Sequence, residues 1–166
     1  LVVGDEPARN GLWEQTFSFD QGVLDALSVS ISADDDGGQH AVDAAISTMN
    51  LGGGTVTFGP VVLVGDTAAG TLNVTGGTLT AASITDSGAG TSTFNLGAPT
   101  FNLDLVGFGN PATAPVVVDN FNPSGAVTVN VNATGLAVGQ FELISYGTMG
   151  GTGFGALTLG ALPAGV

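Results

Sequence analysis

The chain has 166 residues, no cysteine, no lysine, one arginine (Arg9) and 14 carboxylates, giving a formal charge of −13. A single basic side chain cannot neutralise a run of phosphates, so a nucleic-acid partner is excluded, and without cysteine neither a disulfide framework nor a thiolate zinc site can form. Hydrophobic residues make up 43% of the chain, yet no run approaches the roughly 18 apolar residues of a membrane-spanning helix. We therefore expect one folded domain over residues 1–166, without membrane insertion.

The beginning of the chain is more acidic than the remainder. Nine of the 14 carboxylates lie within residues 1–43. We expect residues 1–50 to have a distinct surface within the same domain and to act as a docking or capping element.

Two stretches of this acidic segment alternate apolar with polar side chains, as a half-buried strand does. They are residues 16–19 and 27–32, and the second predicts Leu27, Val29 and Ile31 on one strand face. The aromatic residues nearby have two interpretations. Trp13, Phe17 and Phe19 either pack in a core or form a sugar-stacking platform, and core packing is the commoner role for aromatics at strand spacing.

Three consecutive carboxylates, Asp34, Asp35 and Asp36, precede two glycines. Adjacent carboxylates supply the hard oxygen ligands that calcium prefers, which makes this run the candidate metal site. The alternative is a solvated turn, because aspartate and glycine both favour turns and the spacing of an EF-hand is missing. We expect no other cofactor.

The next stretch is compatible with one short helix near residues 40–49, since Ala41, Ala44, Ala45 and Ile46 lie at near-helical spacing. It also holds the only histidine, His40, close to Asp43. A histidine and a carboxylate alone do not make a nucleophilic triad, and the chain has neither cysteine nor a Gly-x-Ser-x-Gly motif. We predict that the protein is not an enzyme.

From residue 52 onward the chain consists of short alternating runs separated by Gly, Asn, Asp and Pro. About a dozen runs of this kind at regular spacing predict an all-β fold. Two architectures fit: a parallel β-helix (solenoid) of roughly 20 residues per three-strand coil, and a two-sheet β-sandwich. The outward positions are mostly Thr, Ser and Asn, so the solvent-facing surface is polar but nearly uncharged.

Residues 70–80, Gly-Thr-Leu-Asn-Val-Thr-Gly-Gly-Thr-Leu-Thr, resemble the autotransporter-associated β-strand repeat of secreted bacterial surface proteins. Residues 127–166, with Val-Asn-Val-Asn-Ala-Thr-Gly-Leu followed by Gly-Gln-Phe-Glu-Leu-Ile-Ser-Tyr-Gly, are similar to the closing segment of large exported bacterial repeat proteins. The resemblance implies an exported, surface-associated β-helical protein with a structural or adhesive role. It transfers no catalytic residues.

Residues 52–166 contain no Lys or Arg, the side chains that often protect strand edges from pairing with other chains. This absence favours a homo-oligomer or polymer, and hence an extracellular, self-assembling subunit of a bacterial surface fibre or layer. The alternative function is an adhesin or carbohydrate-binding module of a larger exported protein, with a surface glycan as partner. The chain starts at Leu1 and stops at Val166 after a loop-like stretch, so we expect a mature or excised piece.

Overall fold

A computed structural model describes residues 1–5, 13–33, 45–63, 68–106 and 109–163. Within these ranges the chain is built from strands, with one short 3₁₀ helix at Gly153–Ala156. The described strands are Val2–Asp5 (β1), Trp13–Phe19 (β2), Val23–Ala26 (β3), Val29–Ala33 (β4), Ala45–Leu51 (β5), Thr55–Val62 (β6), Ala69–Val74 (β7), Thr78–Thr85 (β8), Thr91–Leu96 (β9), Thr100–Asp104 (β10), Val116–Pro123 (β11), Val127–Asn132 (β12), Ile144–Met149 (β13) and Leu157–Leu159 (β14).

Every pairing between described strands is parallel, and each strand pairs with one that lies a whole coil away in the sequence. The strands stack into three faces. Face A contains β2, β5, β7, β9 and the ends of β11 and β13. Face B contains β3, β10, β12, β14 and the first halves of β6 and β8. Face C contains β1, β4, the second halves of β6 and β8, and the starts of β11 and β13.

Strict alternation of side chains makes this coil possible. In β7, for example, Leu72 and Val74 are fully buried, whereas Thr71 and Asn73 lie on the outer surface. Threonine suits the outer positions because its β-branched side chain favours extended backbone. Inward residues of successive coils face one another, so the core is a set of apolar columns parallel to the solenoid axis.

Three phenylalanines form the bulkiest part of that core. Phe94, Phe101 and Phe121 are fully buried, and the ring of Phe94 lies 5.6 Å from that of Phe101 and 5.8 Å from that of Phe121. The stack continues from Phe121 to Tyr146 at 6.3 Å and from Tyr146 to Phe154 at 6.0 Å. These separations are typical of favourable aromatic pairs, so one aromatic stack links the middle coils to the last one.

Glycines shape the corner between faces A and B. Gly54 and Gly77 have φ angles of +76° and +70°, and they occupy the same turn in consecutive coils. A Cβ on Gly77 would lie 2.5 Å from the carbonyl oxygen of Gly54, closer than any real contact. Only glycine therefore fits a turn that is both left-handed and stacked directly on its neighbour.

The parallel β-helix predicted from the alternation is confirmed, and the two-sheet sandwich is wrong. A sandwich needs antiparallel neighbours joined by short hairpins, whereas a parallel pairing requires the chain to travel around the whole coil before the next strand begins. The coils are longer than predicted: the hydrogen-bonded residues Asn50, Asn73, Asn95 and Asn122 are separated by 23, 22 and 27 residues.

The helix predicted near residues 40–49 is wrong where the structure describes it, because residues 45–51 form β5. Met49 and Leu51 bury completely as strand residues, and β5 pairs on both sides with β2 and β7. Two ladders of backbone hydrogen bonds and this burial outweigh the weak helical preference of a few alanines. Residues 40–44 lie outside the described residues.

Two strand predictions need smaller corrections. Leu27 does not face inward with Val29 and Ile31, because it lies at a bend between β3 and β4 and is 96% exposed. The last coil's strand begins at Ile144, whereas the alternating run Phe141-Glu-Leu-Ile-Ser145 in the sequence predicts a strand from residue 141. In both cases a corner of the coil interrupts a regular pattern of alternation.

Candidate interaction surfaces

Face A carries a ladder of asparagines on its outer surface. The amide nitrogen of Asn73 donates to the side-chain oxygen of Asn50 at 2.7 Å, that of Asn95 donates to Asn73 at 2.6 Å, and that of Asn122 donates to Asn95 at 2.7 Å. Beside it runs a column of Thr16, Thr48, Thr71, Thr93, Asn120 and Thr148. From β5 to the end of β13 the side chains of these two columns are uncharged amides and hydroxyls.

Face B has a similar pattern with more variation. In one outward column, five successive coils each carry a threonine: Thr55, Thr78, Thr100, Thr128 and Thr158. The neighbouring column changes from carboxylate to hydroxyl to amide: Asp25, Thr57, Thr80, Asn102 and Asn130. The Asn130 amide donates to Asn102 at 2.8 Å, and the Asn102 amide donates to the Thr80 hydroxyl at 3.1 Å.

A groove follows this second column of face B. Its upper part is a cavity of about 430 Å³, lined by the ladder residues Asn102 and Asn130 and bounded by the closing segment with Leu162 and Pro163. Its lower part is a cavity of about 360 Å³ between Asp25, Leu27, Thr57, Ala82 and Asp104. Asp104 lines both cavities, so they adjoin along the solenoid axis, and we call the pair the groove of face B. The upper cavity is lined mainly by amide and carboxylate side chains, whereas the lower one is largely apolar.

A buried serine joins two carboxylates where face C meets face A. The Ser92 hydroxyl donates to Asp86 at 2.9 Å and accepts a 2.8 Å hydrogen bond from the backbone N–H of Asp119. The Asp119 carboxylate in turn accepts from the backbone N–H of Ser92 at 2.9 Å. These bonds tie adjacent coils together and leave the serine fully buried, so the cluster supports the fold.

The C-terminal end of the solenoid leaves part of the core uncovered. Leu159 continues the buried column Leu79, Phe101 and Val129, yet it is 61% exposed because no described coil follows it. Phe154, the last ring of the aromatic stack, is 60% exposed. Among the described strands β14 pairs only with β12, so one of its backbone edges has no strand partner.

The opposite end is also open within the part of the chain that the structure describes. The strands of the first coil, β2 and β3, each pair only with the following coil. Phe17, Phe19 and Leu24 are the first residues of three inward columns. They are only partly buried, although the residues that follow them in the same columns are fully buried. Exposed carboxylates, Glu14 and Asp25 among them, lie on these strands.

The structure bears on the predicted site residues only in part. Asp34, Asp35 and Asp36, the candidate calcium ligands, lie outside the described residues, as do His40 and Asp43. In the described ranges no three His, Cys, Asp or Glu side chains come together as a metal would require.

The aromatic residues near the start of the chain contribute to the core. Phe17 and Phe19 pack against the hydrophobic core, which favours core packing over an exposed sugar-stacking platform. The side chain of Trp13 is not among those described.

Comparisons with protein-family models, curated proteins and solved structures find no match to this chain. The resemblance to autotransporter-associated repeats therefore stays a prediction. Across the described ranges, the chain contains no helix with the length and hydrophobicity needed to span a membrane.

Proposed function

We propose that this chain is an extracellular structural protein whose solenoid stacks end to end with further copies, as a subunit of a bacterial surface fibre or layer. The exposure of Leu159 at the end of a buried column carries the proposal. A second copy placed on this end extends the column, because Leu24 of its first coil occupies the position that follows Leu159 in the stack.

Backbone pairing supports the same arrangement. β3 of an incoming copy can lie beside β14, since both belong to face B and both have an unpaired edge among the described strands. Contact between the two different ends of a solenoid is heterologous, and because copies stacked along one axis do not return to the first copy, it propagates into a filament. Apolar burial and backbone hydrogen bonds then hold copies together without disulfides.

The role that follows is mechanical or adhesive rather than catalytic. The outward columns of hydroxyl and amide side chains on faces A and B give a surface that is hydrated and, among the described residues, free of lysine and arginine. Export to the cell surface rests on the sequence resemblance.

Analytical ultracentrifugation and negative-stain microscopy test the proposal directly. The unmodified chain is expected to form filaments, or a ladder of oligomers, as its concentration rises. Leu159→Asp places a charge in the exposed end and is expected to give a monomer. Val106→Asp is the matched control, because Val106 is 48% exposed in the turn after β10, and β10 pairs with a strand on each side, so this residue lies away from both ends of the solenoid.

Uniform monomers of the unmodified chain at high concentration would overturn the proposal. Equal loss of assembly in the Leu159 and Val106 variants would also contradict it, since that result would not locate the contact at the solenoid end. Circular dichroism of both variants establishes that each is folded.

A further inference from the structure

We propose that the groove of face B binds a neutral, linear polysaccharide that lies along the solenoid axis. This inference does not depend on end-to-end stacking, because the groove lies on the side of the solenoid. It rests on the length of the groove, the chemistry of its lining and the absence of positive charge.

The groove is long and straight because it follows one register column. Asp25, Thr57, Thr80, Asn102 and Asn130 come from five successive coils. With strands about 4.8 Å apart, the column spans roughly 19 Å, which accommodates several sugar units of an extended chain. A parallel stack repeats its binding groups at a fixed interval, as does a linear polymer of sugars.

The polar groups of the groove are already oriented for a ligand that both donates and accepts hydrogen bonds. The Asn132 amide donates to one carboxylate oxygen of Asp104 at 3.1 Å, and this bond leaves the second carboxylate oxygen and the second amide hydrogen available. Such a pair can accept from one hydroxyl and donate to its neighbour on a sugar ring. The Asn102 and Asn130 amides likewise each use one hydrogen in the ladder.

Apolar side chains also line the groove at two points, where they can contact the apolar faces of sugar rings. Leu27 lines the lower cavity at 96% exposure, and Leu162 lines the upper cavity at 42% exposure beside Pro163. Exposed leucines beside polar groups suit a pyranose ring, whose C–H faces are apolar while its edge carries hydroxyls. This contact accounts for the exposure of both leucines.

The charge of the groove favours some classes of polysaccharide over others. The chain contains one basic side chain, Arg9, and the described lining of the groove includes Asp25 and Asp104. A uronic-acid polymer would bring its carboxylates against these groups, and no lysine or arginine among the described residues offsets the repulsion. The groove therefore favours neutral hexose and pentose polymers over acidic ones.

The test measures retardation of the intact chain by affinity electrophoresis in gels that contain soluble mixed-linkage β-glucan, galactomannan, arabinoxylan or polygalacturonate. We expect retardation by at least one neutral polymer and none by polygalacturonate. Running the end-blocked Leu159→Asp variant in parallel separates binding by one molecule from the effect of assembly, and it is expected to bind as the unmodified chain does.

Two matched substitutions locate the site. Asn102→Thr places threonine in the groove column, as Thr57 and Thr80 already do in earlier coils, and is expected to weaken binding tenfold or more. Asn95→Thr makes the same change in the ladder of face A and is expected to leave binding unchanged. Thermal unfolding of both variants provides the measure of fold integrity.

Three outcomes would overturn the inference. They are no retardation by any of the neutral polymers, equal retardation by polygalacturonate, and equal weakening by the Asn102 and Asn95 substitutions. Binding that appears only with added calcium and vanishes with a chelator would also contradict it, because the groove would then be a cation site.

Discussion

Ser47 and Ser92 occupy the same inward column of face A, separated by Gly70, but only Ser92 has hydrogen-bond partners. Both side chains are fully buried. The Ser92 hydroxyl donates to Asp86 and accepts from the backbone of Asp119, whereas the Ser47 hydroxyl has no partner. The same column therefore contains one buried serine whose hydroxyl is hydrogen-bonded and one whose hydroxyl is not.

This difference predicts opposite effects of the same substitution. Ser47→Ala removes a buried hydroxyl without a partner and is expected to be neutral or to stabilise the fold by up to about 1 kcal/mol. Ser92→Ala leaves the Asp119 N–H without its acceptor and is expected to destabilise by about 1–3 kcal/mol. Urea unfolding of the two variants measures the free energy of unfolding. Destabilisation by Ser47→Ala comparable to that of Ser92→Ala would contradict the assignment.

The aromatic stack predicts a second contrast, between its middle and its end. Phe94 is buried between Phe101 and Phe121, so Phe94→Ala leaves a cavity and is expected to cost about 3–5 kcal/mol. Phe154 is largely exposed, and Phe154→Ala is expected to cost less than about 1 kcal/mol in the monomer. Thermal and urea unfolding at low protein concentration measure both. A large loss from Phe154→Ala in monomers would show that its ring is covered.

Gly77 and Gly135 both have positive φ angles, but only Gly77 lies in the corner where the turns of successive coils stack. We therefore expect alanine to destabilise the fold more at Gly77 than at Gly135. Gly135 has a φ of +75° with open space where a Cβ would lie, so Gly135→Ala is expected to cost about 1–2 kcal/mol from backbone strain alone. Gly77→Ala adds the clash with the Gly54 carbonyl and is expected to cost more, lowering the melting temperature further. Differential scanning calorimetry compares them. Equal melting temperatures would mean that the corner can relax.

Most of the fold follows from local pattern, whereas the corners of the coil do not. Alternation in β7 to β10 identifies the strands and their inward side, because successive side chains of a strand point to opposite sides whichever strand lies next to it. Leu27 fits the same alternation but lies at a corner, where its carbonyl packs against Gly59 of the next coil. That contact joins residues a full coil apart, so no local pattern contains it.

The groove was hidden in the sequence for a related reason. Asp104 and Asn132 are 28 residues apart and come together only because β10 and β12 pair in that register. Since coil length varies from one coil to the next, the partner of a given residue cannot be counted from the sequence. The sequence does contain repeated Thr-x-Asn runs. They indicate that polar side chains lie on the outer surface of the strands, but they do not show that a groove follows one column.

Salt dependence offers a direct check on how copies associate. Each copy carries a formal charge of −13, and exposed carboxylates such as Glu14, Asp20 and Asp25 lie in the first coil, which the proposed contact brings against another copy. Raising NaCl from 0.1 to 1 M shortens the screening length from about 10 Å to about 3 Å, which weakens this repulsion. Backbone pairing and apolar burial are not weakened in the same way, so self-association is expected to increase with salt.

Light scattering across a NaCl series measures the effect, with Leu159→Asp as the control that is expected to stay monomeric throughout. The salt response also distinguishes two kinds of interface. An interface held by ion pairs dissociates as salt rises, because screening removes the attraction between opposite charges. If self-association instead decreases with NaCl, the contact between copies is electrostatic and not the proposed apolar end contact. Arg9 is the only lysine or arginine that could take part in it.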